Sequence, residues 1–101
     1  MKRGHKDLQL CRQVFDALTY ALATLDDPIV DELFVASVVP APSAARMLVT
    51  LVAASSAIDA DAALETVRAY ANELREDVAA EVTRRRVPEL VFRIGRLEEL
   101  Q

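Results

Sequence analysis

Two prolines mark the places where this chain changes its hydrophobic period. Upstream of Pro28, the apolar residues Leu8, Cys11, Phe15, Leu18, Leu22 and Leu25 recur at steps of three and four, the spacing that lines one face of an α-helix. Proline disfavours helical geometry in the residue before it, so this helix is expected to stop near Asp26. Upstream of Pro88, Leu64, Val67, Ala71, Leu74, Val78 and Val82 repeat the pattern, with charges filling the opposite face. Asp59 or Asp61 can cap this second helix, because a carboxylate accepts the unpaired amide protons of a first turn. Pro88 bars its continuation beyond Arg84-Arg85-Arg86.

The segments between these helices have strand length and strand composition. Leu33 to Val39 is rich in β-branched and aromatic residues, and Pro40-Ala41-Pro42-Ser43 is expected to break it and open a hairpin. Met47 to Ala53 supplies the return strand, with Met47, Val49, Leu51 and Ala53 on one face and Leu48, Thr50 and Val52 on the other. Ser55-Ser56 marks its end. After Pro88, Leu90, Phe92 and Ile94 can point to one side of a last short strand. The predicted order is helix, strand, strand, helix, strand. One three-stranded sheet then buries a face against two helices, which is a two-layer α+β sandwich. At 101 residues, 52% of them apolar and 28% charged, there is room for one core and enough apolar surface to build it. Residues 1–101 are therefore expected to form a single domain, with 1–6 as a flexible basic tail.

Little in the composition supports chemistry. Cys11 lies on the apolar stripe of the first helix and reads as a buried, inert thiol. A single cysteine makes no internal disulfide, which fits a reducing compartment. His5 is the sole histidine, so the usual zinc ligand sets are out of reach. Asp26-Asp27 and Asp31-Glu32 flank a proline corner, where carboxylates ordinarily serve as helix-end and turn residues. The only glycines are Gly4 and Gly95, and no phosphate loop can be assembled from them. The expectation is a protein without catalytic residues, bound metal, cofactor or small-molecule substrate. No apolar run approaches the roughly 20 residues that cross a bilayer, so a cytoplasmic protein without a membrane partner is expected.

The last third of the chain carries a family resemblance. Leu74-Arg75, running through Arg84-Arg85-Arg86 into Val87-Pro88-Glu89-Leu90-Val91-Phe92, resembles the end of ribosome-binding factor A. Cys11-Arg12-Gln13-Val14 is similar to that family's opening helix, Asp27-Pro28 to its helix-to-strand corner, and Ala45-Arg46-Met47-Leu48-Val49-Thr50 to its second strand. The likeness spans roughly residues 11 to 94 in family order. It implies a KH-like fold of the second type whose long helix is kinked. It also implies a non-enzymatic, monomeric assembly factor that binds the small ribosomal subunit or its precursor, with its rRNA, and assists rRNA maturation. The family lacks the two-glycine KH clamp and commonly carries alanine, any residue, then glycine at the kink. Tyr70, Ala71 and Asn72 occupy the matching positions here. Asn72 replaces the glycine and is the next best residue for an irregular backbone, while Tyr70 adds bulk where the family is small. Pro40-Ala41-Pro42 also departs from the polar turn usual in the family.

Charge is segregated along the chain. The formal total is −4. Lys2, Arg3, Lys6 and Arg12 against Asp7 leave +3 over residues 1–12, Arg84, Arg85, Arg86, Arg93 and Arg96 against Glu89, Glu98 and Glu99 leave +2 over residues 84–101, and the middle carries −9. Surface fields are screened within about 8 Å at physiological salt, so a local basic patch can act on an acidic protein. Arg84, Arg85, Arg86 and Arg75 are the leading RNA-binding candidates, followed by Lys2, Arg3, Lys6 and Arg12. The plainer account of Arg84-Arg85-Arg86 is a solvated helix end that favours the helix dipole. A KH-like protein-interaction module that has lost RNA binding is the alternative. The acidic middle and the altered kink motivate it, with a strand edge or the acidic helix face as its interface.

Overall fold

The computed structural model describes residues 5–43, 45–82 and 87–96, with side chains from Leu8 onward apart from those of 42 and 43. Helix α1 (His5–Thr24) starts inside the segment expected to be a tail, so Lys6 lies on its first turn. The helix buries Leu10, Cys11, Val14, Ala17, Leu18, Ala21 and Leu22, while Leu8 is 70% exposed and Phe15 half-buried. The buried face is thus centred on Val14 and Leu18, one edge over from the expected stripe. Ala17 and Ala21 sit within this face as small contacts where a helix approaches a sheet.

The corner after α1 is built by Asp27. Its Oδ1 accepts the amides of Ile29 at 2.9 Å and Val30 at 3.3 Å, the local side-chain turn that makes aspartate common at such sites. A short 3-10 turn, Val30–Glu32, follows and leads into the sheet. Its Val30 is buried in the core.

Three strands form the sheet in the order β1 (Leu33–Ser43), β2 (Arg46–Ala53) and β3 (Glu89–Gly95). Strands β1 and β2 are antiparallel, whereas β3 runs parallel to β2 with Val49 opposite Phe92. A parallel pair needs a long crossover, and the second helical segment supplies it. The expectation that Pro40-Ala41-Pro42-Ser43 breaks the first strand is corrected by the structure: Pro40 pairs with Met47 and Ser43 with Arg46. Because β1 is an edge strand, a proline there need not remove a ladder hydrogen bond. The register slips between Pro40 and Ser43, and again between Val35 and Ser37, the local irregularity by which an edge absorbs such residues.

The core lies on one face of the sheet. Met47, Val49 and Leu51 of the central strand are fully buried against α1 and against Ala63, Val67, Leu74 and Val78 of the crossover helices. Asp59 caps the first of these, its Oδ2 accepting the Ala62 amide at 2.9 Å. The crossover consists of α2 (Ala60–Ala69) and α3 (Ala71–Glu81), so the kinked helix is two helices with one residue between them. The fold is a single-layer sheet covered on one side by helices, an α+β architecture. On the opposite face Thr50 is buried and receives a hydrogen bond from Arg93 Nη1 at 3.3 Å.

Candidate nucleic-acid interface

Tyr70 is the joint of the crossover. Its backbone, at φ −98° and ψ 5°, leaves helical geometry for a single residue. The Tyr70 amide donates to the Val67 carbonyl at 3.0 Å, ending α2, and its own carbonyl accepts the Leu74 amide at 2.9 Å, starting α3. Ala71, Asn72 and Glu73 therefore supply the first-turn amides of a new helix, the end that carries partial positive charge. The irregular position is Tyr70 and not Asn72, which lies exposed in α3. A negative φ is open to any L-residue, so this joint needs neither glycine nor its nearest substitute.

The side chain of Tyr70 reaches back across the fold. Its hydroxyl donates to Asp27 Oδ2 at 2.9 Å, so both carboxylate oxygens of Asp27 are engaged. The bond to Tyr70 is the main cause holding the Asp27 carboxyl below its ordinary value, and the Ile29 and Val30 amides add to it. The same bond, with desolvation and the nearby charges of Asp27, Glu73 and Asp26, raises the Tyr70 phenol above its ordinary value.

Arg75 stands one turn into α3. Its Nη2 donates to the Val87 carbonyl at 3.3 Å, which fastens α3 to the residue directly after Arg84-Arg85-Arg86. Ala71, Asn72, Arg75, Glu89 and Leu90 line a shallow open cleft of about 440 Å³. Glu89 brings a carboxylate into it, 4.0 Å from Arg46 Nε, with both side chains largely exposed. An exposed pair of this kind contributes little to stability, but it lowers the local positive charge.

Arg12 lies elsewhere. It borders a second cleft, of about 340 Å³, with Cys11, Phe15, Asp16 and Val38, beside edge strand β1, whereas the Arg75 cleft abuts β3 at the other edge. The structure thus groups Arg75 with Ala71 and Asn72 in one cleft, with Tyr70 directed to Asp27, and places Arg12 in another. Lys2, Arg3, Arg84, Arg85 and Arg86 fall outside the described residues, and only the backbone of Lys6 is described. Sequence reasoning missed Asp27 as a partner of the kink. The two residues are 43 positions apart, and the one hint was a bulky residue where a small one was expected. Among the described residues, no three His, Cys, Asp or Glu side chains are placed to hold a metal ion. No described helix is long and apolar enough to cross a membrane.

Neither a protein-family model nor any curated protein matches the chain in sequence. In structure it is similar to ribosome-binding factor A from Thermus thermophilus, at a TM-score of 0.77 and 25% identity over 87% of this chain and 93% of that one. It is also similar to a candidate ribosome binding factor A from Thermotoga maritima, at a TM-score of 0.74 and 18% identity over 91% and 89% of the two chains. A third similar structure is a homology model of the Thermus thermophilus factor fitted into the cryo-electron-microscopy map of its complex with the 30S subunit. There the TM-score is 0.64 at 26% identity, over 89% of this chain and 91% of that one.

Proposed function

From a chain that carries the ribosome-binding factor A fold over nearly its whole length, we propose a non-enzymatic assembly factor that binds the small ribosomal subunit or its precursor and assists rRNA maturation. It acts in the cytoplasm as a monomer, without cofactor or small-molecule substrate. The observation that carries this reading is the fold match to the Thermus factor, at a TM-score of 0.77 over 87% of the chain. The working surface is the cleft at the α2–α3 joint. Arg75 spends one donor on Val87, and a guanidinium has five, so phosphate contact remains open to it. Arg84, Arg85 and Arg86, which precede Val87 in the sequence, are the other leading contacts in this reading, with Lys2, Arg3, Lys6 and, beside the opposite sheet edge, Arg12 as secondary ones. Phosphate neutralisation expels counterions, so binding of this kind weakens steeply with salt even when net charge is acidic.

The test is co-sedimentation of the purified protein with small subunits across a salt series. Reversing Arg84, Arg85 and Arg86 to glutamate should weaken binding and flatten the salt slope by about two to three, at roughly −0.7 to −0.9 per phosphate contact. Unchanged binding removes these arginines from the mechanism.

A second reading is favoured by Glu89, which brings a carboxylate into the cleft and pairs with Arg46 at 4.0 Å. Under it the chain is a KH-like protein-interaction module that has lost RNA binding. Retention of proteins from RNA-free lysate, with no sedimentation on subunits at low salt, selects this alternative.

A further inference from the structure

We infer that Tyr70 is a positioning residue, whose hydroxyl bond to Asp27 locks the one-residue joint between α2 and α3 and so holds Asn72 and Arg75 in a fixed presentation over their cleft. This rests on the proposed function for its purpose, and on the geometry alone for its existence.

Each half of the crossover has its own hold on the core: Ala63 and Val67 anchor α2, and Leu74 and Val78 anchor α3, all four fully buried. Between them the Tyr70 amide and carbonyl end one helix and start the next, but no residue type that enforces a bend is present. Sharp helix bends are ordinarily enforced by proline, by glycine or serine pairs, or by an inserted bulge, and none of these residues occurs from Ala69 to Glu73. The Tyr70 backbone sits in a permitted but sparsely used region, from which a return to continuous helix is a small dihedral change. A side-chain bond that favours the bent form over the straight one would therefore add to the hold of the core anchors.

The Tyr70 hydroxyl makes such a bond. It is bonded at 2.9 Å to a carboxylate that two amides already immobilise, and one of those amides belongs to Val30, which is buried in the core. A continuous chain of contacts runs from Val30 through Asp27 and Tyr70 to α3, then through Arg75 to Val87. At a rise of 1.5 Å per residue, Arg75 lies roughly 7.5 Å beyond the joint, so a swing of about 10° displaces its backbone by about 1.3 Å. That is enough to lengthen a 3.3 Å hydrogen bond past usefulness. The hydroxyl bond of Tyr70 to Asp27 is the means by which a joint without glycine or proline is held bent.

Tyr70→Phe removes the hydroxyl and nothing else. In the full chain at neutral pH, it is expected to leave the far-ultraviolet circular dichroism unchanged and to speed amide exchange at Leu74 and Arg75, the first amides of α3 that bond within the helix. It should also weaken small-subunit binding about threefold to tenfold, the usual range for a residue acting through another, with the slope against salt retained because no phosphate contact is lost. Equal affinity together with unchanged exchange at Leu74 and Arg75 overturns the inference. A reduced salt slope overturns it too, since Tyr70 would then touch the RNA directly. If the wild-type protein does not sediment with small subunits, the proposed function fails separately, and the exchange rates alone decide whether the lock exists.

Discussion

Arg75 Nη2 lies 3.3 Å from the carbonyl oxygen of Val87, joining the first turns of α3 to the entrance of β3. A residue proposed to meet phosphate thus also fastens its helix to the approach of the last strand. Both tasks need the guanidinium fork. Arg75→Lys keeps the charge and loses the geometry, whereas Arg75→Ala loses both. Arg75 is exposed, so each change is expected to alter stability by no more than about 0.5 kcal/mol. Arg75→Ala should lower the salt slope of subunit binding by about 1. Arg75→Lys should retain that slope with weaker affinity. Binding isotherms at four or more salt concentrations separate the two, and identical behaviour of both variants would remove the positioning role.

Stability resides where the helical stripes meet the central strand. Leu74 is among the largest fully buried side chains, whereas Leu8 is 70% exposed although it belongs to the same kind of spacing. Truncating a buried leucine costs about 2–5 kcal/mol through lost transfer energy and the cavity left behind. Leu74→Ala should therefore shift the urea midpoint strongly, and Leu8→Ala should stay within about 0.5 kcal/mol of wild type. Comparable losses in the two variants would mean that α1 packs on a different face.

The legible and illegible parts of this fold divide along a physical line. Periodicity and capping are local, so the helical stretches, the hairpin, a cap at Asp59 or Asp61 and the turn of Leu90, Phe92 and Ile94 toward one side can be read from spacing, and the structure selects Asp59. The strand that runs on through Pro40 cannot be read so, because proline is excluded from sheet interiors and tolerated at edges, and edge status depends on the order β1-β2-β3. Leu8 was misplaced because its neighbours Leu10 and Val14 shift the centre of the buried face. Near the cleft, the resemblance points to the stretch Tyr70–Asn72, and the structure sets the break at Tyr70 within it. The Asp27 partner of Tyr70 was not legible, since a contact across 43 residues leaves no mark on local pattern.

The Tyr70–Asp27 pair gives stability a pH window with a definite sign. The folded-state pKa of Asp27 is lowered from 3.8, chiefly by the Tyr70 bond, so its contribution is present above 3.8 and is lost as pH falls through the lowered value. The folded-state pKa of Tyr70 is raised from 10.0, chiefly by the bond to Asp27. Its contribution is present below 10.0 and is lost as pH rises through the raised value. The stability difference between wild type and Tyr70→Phe should accordingly be largest between these limits and shrink toward both ends. Part of the acid loss should persist in the variant, because the Ile29 and Val30 amides still favour the Asp27 carboxylate. Urea midpoints measured from pH 3 to pH 11 provide the comparison, and a difference independent of pH would assign the effect of Tyr70 to packing.

Restoring the family's glycine offers a sharper test of how the joint works. If the bend depended on a residue free to adopt left-handed geometry, Asn72→Gly would relieve strain and stabilise the protein. Here the break sits at Tyr70 with a negative φ, and Asn72 is an ordinary exposed residue of the first turn of α3. Glycine in a helix costs backbone entropy that other residues do not, so Asn72→Gly should destabilise by about 0.5 kcal/mol or less. Asn72→Ala, which improves helix propensity, should be neutral or slightly stabilising. Because neither change touches Tyr70 or Asp27, both variants should keep the wild-type amide exchange of Leu74 and Arg75. A gain in stability with glycine would show that the joint is strained at residue 72, and that the tyrosine strut opposes the backbone it was inferred to hold.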